Sequence, residues 1–339
     1  MNDSVSALSP AEIQFLRRNG WESAQAKPLA GDASTRRYFR LPQAGMLLMS
    51  DPGKPDVFGS YLRISDHLNA MGLSAPRVMI ADESQCLALI EDWGESTYTR
   101  LLEAGSNEED LYALAIDALV HLHAQPRAAE IARPDYDLAA YLQELAASFC
   151  QWFVPALNPD LDSGRFGADF LPLWEQALQP VANRQESLVL RDFHVDNLML
   201  IRGRTGVRRC GLLDFQDAVL GPAEYDLVSL LQDARRDLSP LLEERMLERY
   251  IAHQPNDGET IRAAYYLLGA QRHARIIGVF VRLCQRDGKK RYLQWLPRVI
   301  RQFETALGMA GLTDIADFLD VRLPEWQSRG VKLALRLAA

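Results

Sequence analysis

The sequence predicts an α+β protein in two lobes, a small antiparallel-sheet lobe over residues 1–91 and a large helical lobe over residues 92–339. Three observations carry this. Short apolar runs separated by turn residues crowd into the first part of the chain. Segments with helical spacing dominate from residue 107 onward. One strand-like stretch, 187–215, interrupts those helices. A chain of 339 residues is also longer than one simple core accommodates and fits two.

The elements follow in order. SPAEIQFLRRNG opens with a capping box: Ser9 is the N-cap, Pro10 suits the first helical position, Glu12 stands at N3, and Gly20 ends the helix. AKPLAGDASTRRYFRL reads as strand, turn, strand, with Gly31 and Asp32 at the turn, and MLLMS (46–50) as a third short strand. PDVFGSYLRISDHLNAMG spaces its apolar residues as a helix and closes on Gly72. RVMIA and CLALIE form a hairpin around DESQ. EDWGEST is polar and turn-like, a hinge near 91–95. Helices are then expected over 107–125, 137–153, 168–183, 224–235, 240–253, 258–285 and 292–308, with SLVL, NLMLI and RRCGLLDF as strands between them.

Composition narrows the function classes. With 48% hydrophobic and 24% charged residues the chain reads as an ordinary globular protein. A formal net charge of -8 argues against a general nucleic-acid binder, which needs a basic excess. Cys86, Cys150, Cys210 and Cys284 lie far apart without a CxxC pair, so neither a zinc site nor a disulfide framework is expected. Reduced thiols in the cytoplasm are the simplest setting. No apolar run approaches the ~20 residues of a membrane span, and MNDSVSALSP has no signal-peptide pattern.

The chemistry concentrates in LRDFHVDNLML (190–200) and LLDFQD (212–217). Asp192 is followed five residues later by Asn197, and Asp214 comes after the expected hairpin. Phosphoryl transfer from ATP needs a carboxylate to accept the proton of the attacking hydroxyl, and oxygen ligands to hold Mg²⁺ on the phosphates. Asp192 suits the first role, Asn197 and Asp214 the second.

LRDFHVDNLML resembles the catalytic loop of the aminoglycoside phosphotransferase and choline kinase branch of the protein-kinase-like fold. LLDFQDAVLGPAEYDLVSLL resembles its metal motif and the helix that follows. The likeness runs over roughly residues 25–310. AGDASTRRYFRL, RDFHVDNL and GAQRHARIIGVFVRL look most like a bacterial group of anomeric sugar kinases, the N-acetylmuramate/N-acetylglucosamine kinases of cell-wall recycling. The resemblance implies a small-molecule amino sugar as acceptor, ATP and Mg²⁺ as cofactors, no nucleic-acid or membrane partner, and a structural role for Asp226 in binding the backbone of the catalytic loop.

The sequence also departs from that pattern. Leu190 stands where the loop usually carries histidine. Gly31 is the one glycine of AGDAST, with Ser34 and Thr35 as further donors toward nucleotide phosphates. MLLMS has no lysine and the helix after it no glutamate, although kinases pair the two. Losing both is coherent, since a survivor would be an unpaired charge. Arg36, Arg37, Arg40 and Lys54 are candidates to replace that lysine, with Arg37 taken as nucleotide-binding. Glu91 and Trp93 are expected at the adenine. His194, beside the base, and Arg272 and Arg275, in the arginine-rich segment 262–292, are expected to bind substrate. A basic wall suits an anionic acceptor such as a lactyl-bearing sugar, whereas an aminoglycoside or choline site favours carboxylates or aromatic cages. From the residues alone, two other readings stay open: a kinase of an aminoglycoside or choline-like alcohol, and a catalytically inactive nucleotide-binding relative.

Overall fold

The structure is a computed structural model that describes residues 8–21, 26–29, 36–42, 44–131, 133–255 and 257–338. Its contacts divide the chain into two compact units, Met1–Ile131 with Asp192–Ala218, and Ala132–Arg191 with Val219–Ala339. The expected division at 91–92 followed the change from strands to helices. This division follows packing, and it assigns the hairpin around residues 198–212 to the unit that holds the sheet.

That unit holds the strands β1 (Lys27–Pro28), β2 (Arg37–Leu41), β3 (Met46–Ser50), β4 (Val78–Asp82) and β5 (Leu87–Glu91). They form an antiparallel sheet in the order β1-β2-β3-β5-β4, with Phe39 opposite Leu48 and Leu48 opposite Leu89. The helix Pro10–Arg18 starts on the expected capping box, with the Ser9 side chain bonded to the Glu12 N–H and Glu12 to the Ser9 N–H. Its Phe15 and Leu16 pack with Phe39, Leu41, Leu48, Leu87 and Leu89 into one core. Because side chains alternate along a strand, this core takes the Phe39 and Leu41 face of β2 and turns Tyr38 and Arg40 to the other. The helix Pro55–Ala70 buries Phe58, Tyr61, Ser65 and Leu68, a stripe of three- and four-residue steps.

Strands β6 (Ser187–Val189), β7 (Leu198–Leu200), β8 (Cys210–Leu212) and β9 (Val219–Gly221) follow. β7 and β8 pair as the expected hairpin. β9, only three residues long, was not foreseen, and it pairs with β6 inside the other unit.

In that second unit the helix Leu138–Leu145 runs into a π-helical stretch, Ala146–Phe153. The long helix Gly258–Gln285 crosses it at Gly278, where a Cβ would lie 2.2 Å from the Ser148 carbonyl carbon. Only glycine permits that approach. Phe149, Phe153, Phe166, Phe170, Trp174, Phe303 and Trp326 fill the core alongside, none more than 1% exposed. The helix expected at 168–183 lies earlier, at Ser163–Ala177, because Asp162 caps it by accepting from the Arg165 N–H. Two further helices, Thr313–Arg322 and Trp326–Ala338, lie beyond the elements expected from periodicity. Cys86, Cys150, Cys210 and Cys284 are free and buried. Among the described residues no helix is long and apolar enough to cross a membrane.

Candidate active site

The loop that follows Arg191 is tied together by its own hydrogen bonds. The His194 N–H donates to the Asp192 carbonyl (3.0 Å), and the Asn197 N–H to the His194 carbonyl (2.8 Å). The Asn197 side-chain Nδ2 donates to the Asp192 carbonyl as well, at 3.0 Å. The five-residue spacing thus closes a compact turn that sets Asn197 against the backbone of Asp192. The Leu213 N–H donates to the Asn197 carbonyl at 2.9 Å, which ties this turn to the residue before Asp214. His194 is 4% exposed and lies beside Asn197, its Nε2 3.4 Å from Nδ2.

Asp214 has φ 56, left-handed backbone that aspartate tolerates better than most residues. Its Oδ1 accepts from Gln216 Nε2 at 2.8 Å. Asn197 Oδ1 and Asp214 Oδ2 accept no hydrogen bond among the described residues, so two hard oxygen donors keep lone pairs for an outside ligand. Phe215, fully buried, stacks on Tyr61 with centroids 5.0 Å apart.

The three candidate arginines of the second strand separate. Arg36 is 7% exposed and donates through Nε to Asp51 Oδ2 (3.0 Å) and through Nη1 to Gln216 Oε1 (2.9 Å). Burial alone would lower its pKa; Tyr38 and Asp51 outweigh that, and the guanidinium stays charged. Arg37 points to the face that carries Phe39, where it pairs with the capping residue Glu12 at 2.5 Å. Arg40 is held by Asp92, Glu95 and the Gly94 carbonyl. Gly31, Ser34 and Thr35 lie outside the described residues.

Around residues 91–93, a cavity of 380 Å³ is lined by Glu91, Asp92, Trp93, Arg202, Gly203 and Arg204 among others. Glu91 pairs with Arg204 at 2.6 Å, and the same guanidinium lies 5.3 Å from the centre of the Trp93 ring. The N–H groups of Glu91 and Asp92 are already bonded to the carbonyls of Arg77 and Gly45. Trp93 packs on Gly211, where a Cβ would lie 2.6 Å from its ring.

In the second unit, Asp226 is completely buried and grips the two residues just before Asp192 in the chain. Its Oδ2 accepts from the Leu190 N–H at 2.6 Å and its Oδ1 from the Arg191 N–H at 2.8 Å. Arg191 is held at φ 69, a left-handed backbone that a long side chain adopts only under constraint. Ser229 Oγ donates to the Arg191 carbonyl at 2.9 Å, and Arg272, 2% exposed, donates to that Oγ at 2.9 Å. Arg191 pairs with Glu144, Arg275 Nε lies 3.4 Å from the same carboxylate, and Arg275 Nη2 donates to the Tyr225 hydroxyl at 3.3 Å. Burial would raise the Glu144 pKa, but Arg275 and Arg191 outweigh it and hold the carboxyl below its usual range. Arg272 and Arg275, read from the sequence as substrate ligands, thus stand in the network that shapes residue 191.

Sequence reasoning missed Asp51, Glu144, Gln216 and Ser229. The signal for two was present: Asp51 directly follows the apolar MLLMS, and Gln216 stands two residues after Asp214. Ser229 and Glu144 carried no local mark.

The phosphotransferase enzyme family matches residues 25–265. The chain is 34% identical to the N-acetylmuramate/N-acetylglucosamine kinase of Caulobacter vibrioides, over 94% of this chain and 98% of that one. It is 33% identical to the protein of the same name from Pseudomonas aeruginosa, over 85% and 86% of the two chains. In fold it is similar to the ADP-bound aminoglycoside phosphotransferase APH(2'')-Ib (TM-score 0.60, 15% identity, 89% of this chain and 99% of that one). It is similar as well to a Plasmodium vivax ethanolamine kinase (TM-score 0.53, 11% identity, 86% and 84%). The fold is thus kinase-like, a sheet-bearing part joined to a largely helical part, and the chain belongs to the phosphotransferase enzyme family.

Proposed function

We propose that this protein transfers the γ-phosphoryl group of ATP to the anomeric hydroxyl of N-acetylmuramate and N-acetylglucosamine, forming the sugar 1-phosphate. The observation that carries the chemistry is the closed turn from Asp192 to Asn197, bonded onward to the strand end that presents Asp214. The choice of acceptor rests on the names of relatives that align over nearly the whole chain. Asp192 accepts the proton of the attacking hydroxyl, a role worth about 10²–10⁴-fold in rate. Asn197 Oδ1 and Asp214 Oδ2 fit Mg²⁺, which takes one or two protein oxygens and fills the rest of its shell with phosphate and water. When bound, the metal neutralises charge on the phosphates. Arg36 is the cation linked to Asp214 through Gln216, and Asp226 with Ser229 fixes the backbone that leads into Asp192.

An anionic acceptor also fits the local charge of one network in the second unit. Arg191, Arg272 and Arg275 stand in one network with two carboxylates, Glu144 and Asp226, an excess of one positive charge. An aminoglycoside or a choline-like cation would be repelled there. The setting proposed is the cytoplasm, consistent with the four free cysteines. The test is ADP release from ATP and Mg²⁺ across a panel of amino sugars, choline and aminoglycosides, with phosphorus NMR of the product. Turnover confined to the amino sugars with phosphate on C1 is expected. Turnover with the cationic alcohols instead would refute the acceptor, and no turnover with any would favour an inactive relative.

A further inference from the structure

Protein kinases hold the nucleotide phosphates with a lysine on the third strand, paired with a glutamate on the next helix. Here the third strand, MLLMS, and the helix Pro55–Ala70 contain neither residue. The fold places a different ion pair at adjoining ends of β2 and β3. Arg36 directly precedes β2, and Asp51 directly follows β3. Their strands run antiparallel with Arg37 opposite Ser50, so the register sets the two charges side by side, Arg36 Nε 3.0 Å from Asp51 Oδ2. Both side chains are nearly excluded from water, at 6% and 2% exposure. The helix contributes an aromatic ring in place of a carboxylate: the Arg36 guanidinium lies 5.3 Å from the centre of Tyr61, whose other neighbour is Phe215.

Gln216 connects this pair to Asp214. Arginine only donates and a carboxylate only accepts, so the amide must turn its oxygen to Arg36 and its NH₂ to Asp214, as found at 2.9 and 2.8 Å. Gln216 therefore passes a donor on from the cation to the carboxylate, and it fixes Asp214 at one oxygen while the other keeps its lone pairs. Gln216 Nε2 also donates to Asp217 Oδ2 at 3.3 Å, so across Asp51, Arg36, Gln216, Asp214 and Asp217 the formal charge is two negative, which suits a divalent cation carried on a nucleotide.

We propose that the Arg36–Asp51 pair takes the place of the missing lysine–glutamate pair as a positioning device, and that it acts through Gln216 to orient Asp214 for a Mg²⁺–nucleotide complex. This rests on the nucleotide reading given above and adds the residues that prepare its metal ligand. The experiment uses the full chain and ADP as probe, titrated by calorimetry with and without Mg²⁺, with a thermal melt of every variant. Gln216→Leu removes the connector and leaves the Arg36–Asp51 pair intact. The double variant Arg36→Met/Asp51→Leu removes both charges together, so that no buried charge is left unpaired. Both should melt cooperatively. In both, Mg²⁺-dependent ADP affinity should fall about tenfold or more, a change of about 1.4 kcal/mol per tenfold, while metal-free affinity changes little. A wild-type Mg²⁺ dependence in either folded variant overturns the proposal. A loss of equal size with and without Mg²⁺ also overturns it, since Arg36 would then act on the phosphates directly. If the unaltered protein binds no ADP, the nucleotide reading itself fails, an outcome distinct from the other two.

Discussion

Asp226→Asn tests the most constrained point of the structure. The native carboxylate accepts two backbone N–H groups, from Leu190 at 2.6 Å and Arg191 at 2.8 Å, in a site with no solvent exposure. Hydrogen bonds to a charged group contribute about 1.5–3 kcal/mol each, and neutral ones about 0.5–1.5. Asparagine has a single accepting oxygen, and its NH₂ would face the second N–H. One bond is lost, the other becomes neutral, and a buried donor is left unsatisfied at about 1–3 kcal/mol. The sum is about 3.5–7.5 kcal/mol. Arg191 is held left-handed at φ 69 and needs those bonds to stay there. Its release shifts the next residue, Asp192, and a displacement of about 1 Å at a reacting group costs about 10²-fold in rate. Denaturant unfolding and single-turnover kinetics are the assays. The expected outcome is a lowered midpoint together with a kcat about a hundredfold down, while Mg²⁺–ADP affinity is kept. A variant with native stability and native kcat would refute the argument that Asp226 holds the loop.

Three further outcomes follow from the same geometry. Asp192→Asn should keep nucleotide binding and slow single-turnover phosphoryl transfer by about 10²–10⁴-fold; near-native turnover would remove Asp192 from the role of base. Arg272→Ala should lower kcat/KM alike for N-acetylmuramate and N-acetylglucosamine, because this arginine supports Ser229 and the Arg191 carbonyl, whereas Arg275→Ala should cost the carboxylate-bearing sugar about tenfold more; the reverse pattern in steady-state comparison would exchange the two assignments. His273 is fully buried with Nε2 2.8 Å from Gln232 Oε1, and burial, then the charge of Arg272, holds its imidazole well below the usual pKa. The unfolded chain therefore binds the extra proton, and this share of stability is complete above about pH 6.5 and lost as pH falls below it. Denaturant unfolding of His273→Gln should accordingly lose up to about 2 kcal/mol less than wild type between about pH 7 and about pH 5, and an identical acid loss in both proteins would contradict it.

The sequence by itself determined what depends on near neighbours along the chain. The capping box of Ser9 and Glu12 joins residues three apart, β3 occupies MLLMS as its apolar character predicts, and the turn from Asp192 to Asn197 closes through a bond five residues long. Such interactions are made within one turn of backbone, so spacing alone announces them. Tertiary structure decided the rest. Arg36, Arg37 and Arg40 are alike in the sequence. They part because the helix Pro10–Arg18 covers one face of β2, which sends Arg37 to Glu12 and leaves Arg36 for Asp51 and Gln216. Arg36 and Gln216 stand 180 positions apart, and no period relates them. Arg272 likewise meets Ser229 across 43 residues. The segment that holds Arg272 and Arg275 reads as a basic helix face, but only packing shows that Arg272 is buried behind the residue that leads into Asp192. A buried arginine needs partners, and those partners come from whichever element the fold brings alongside.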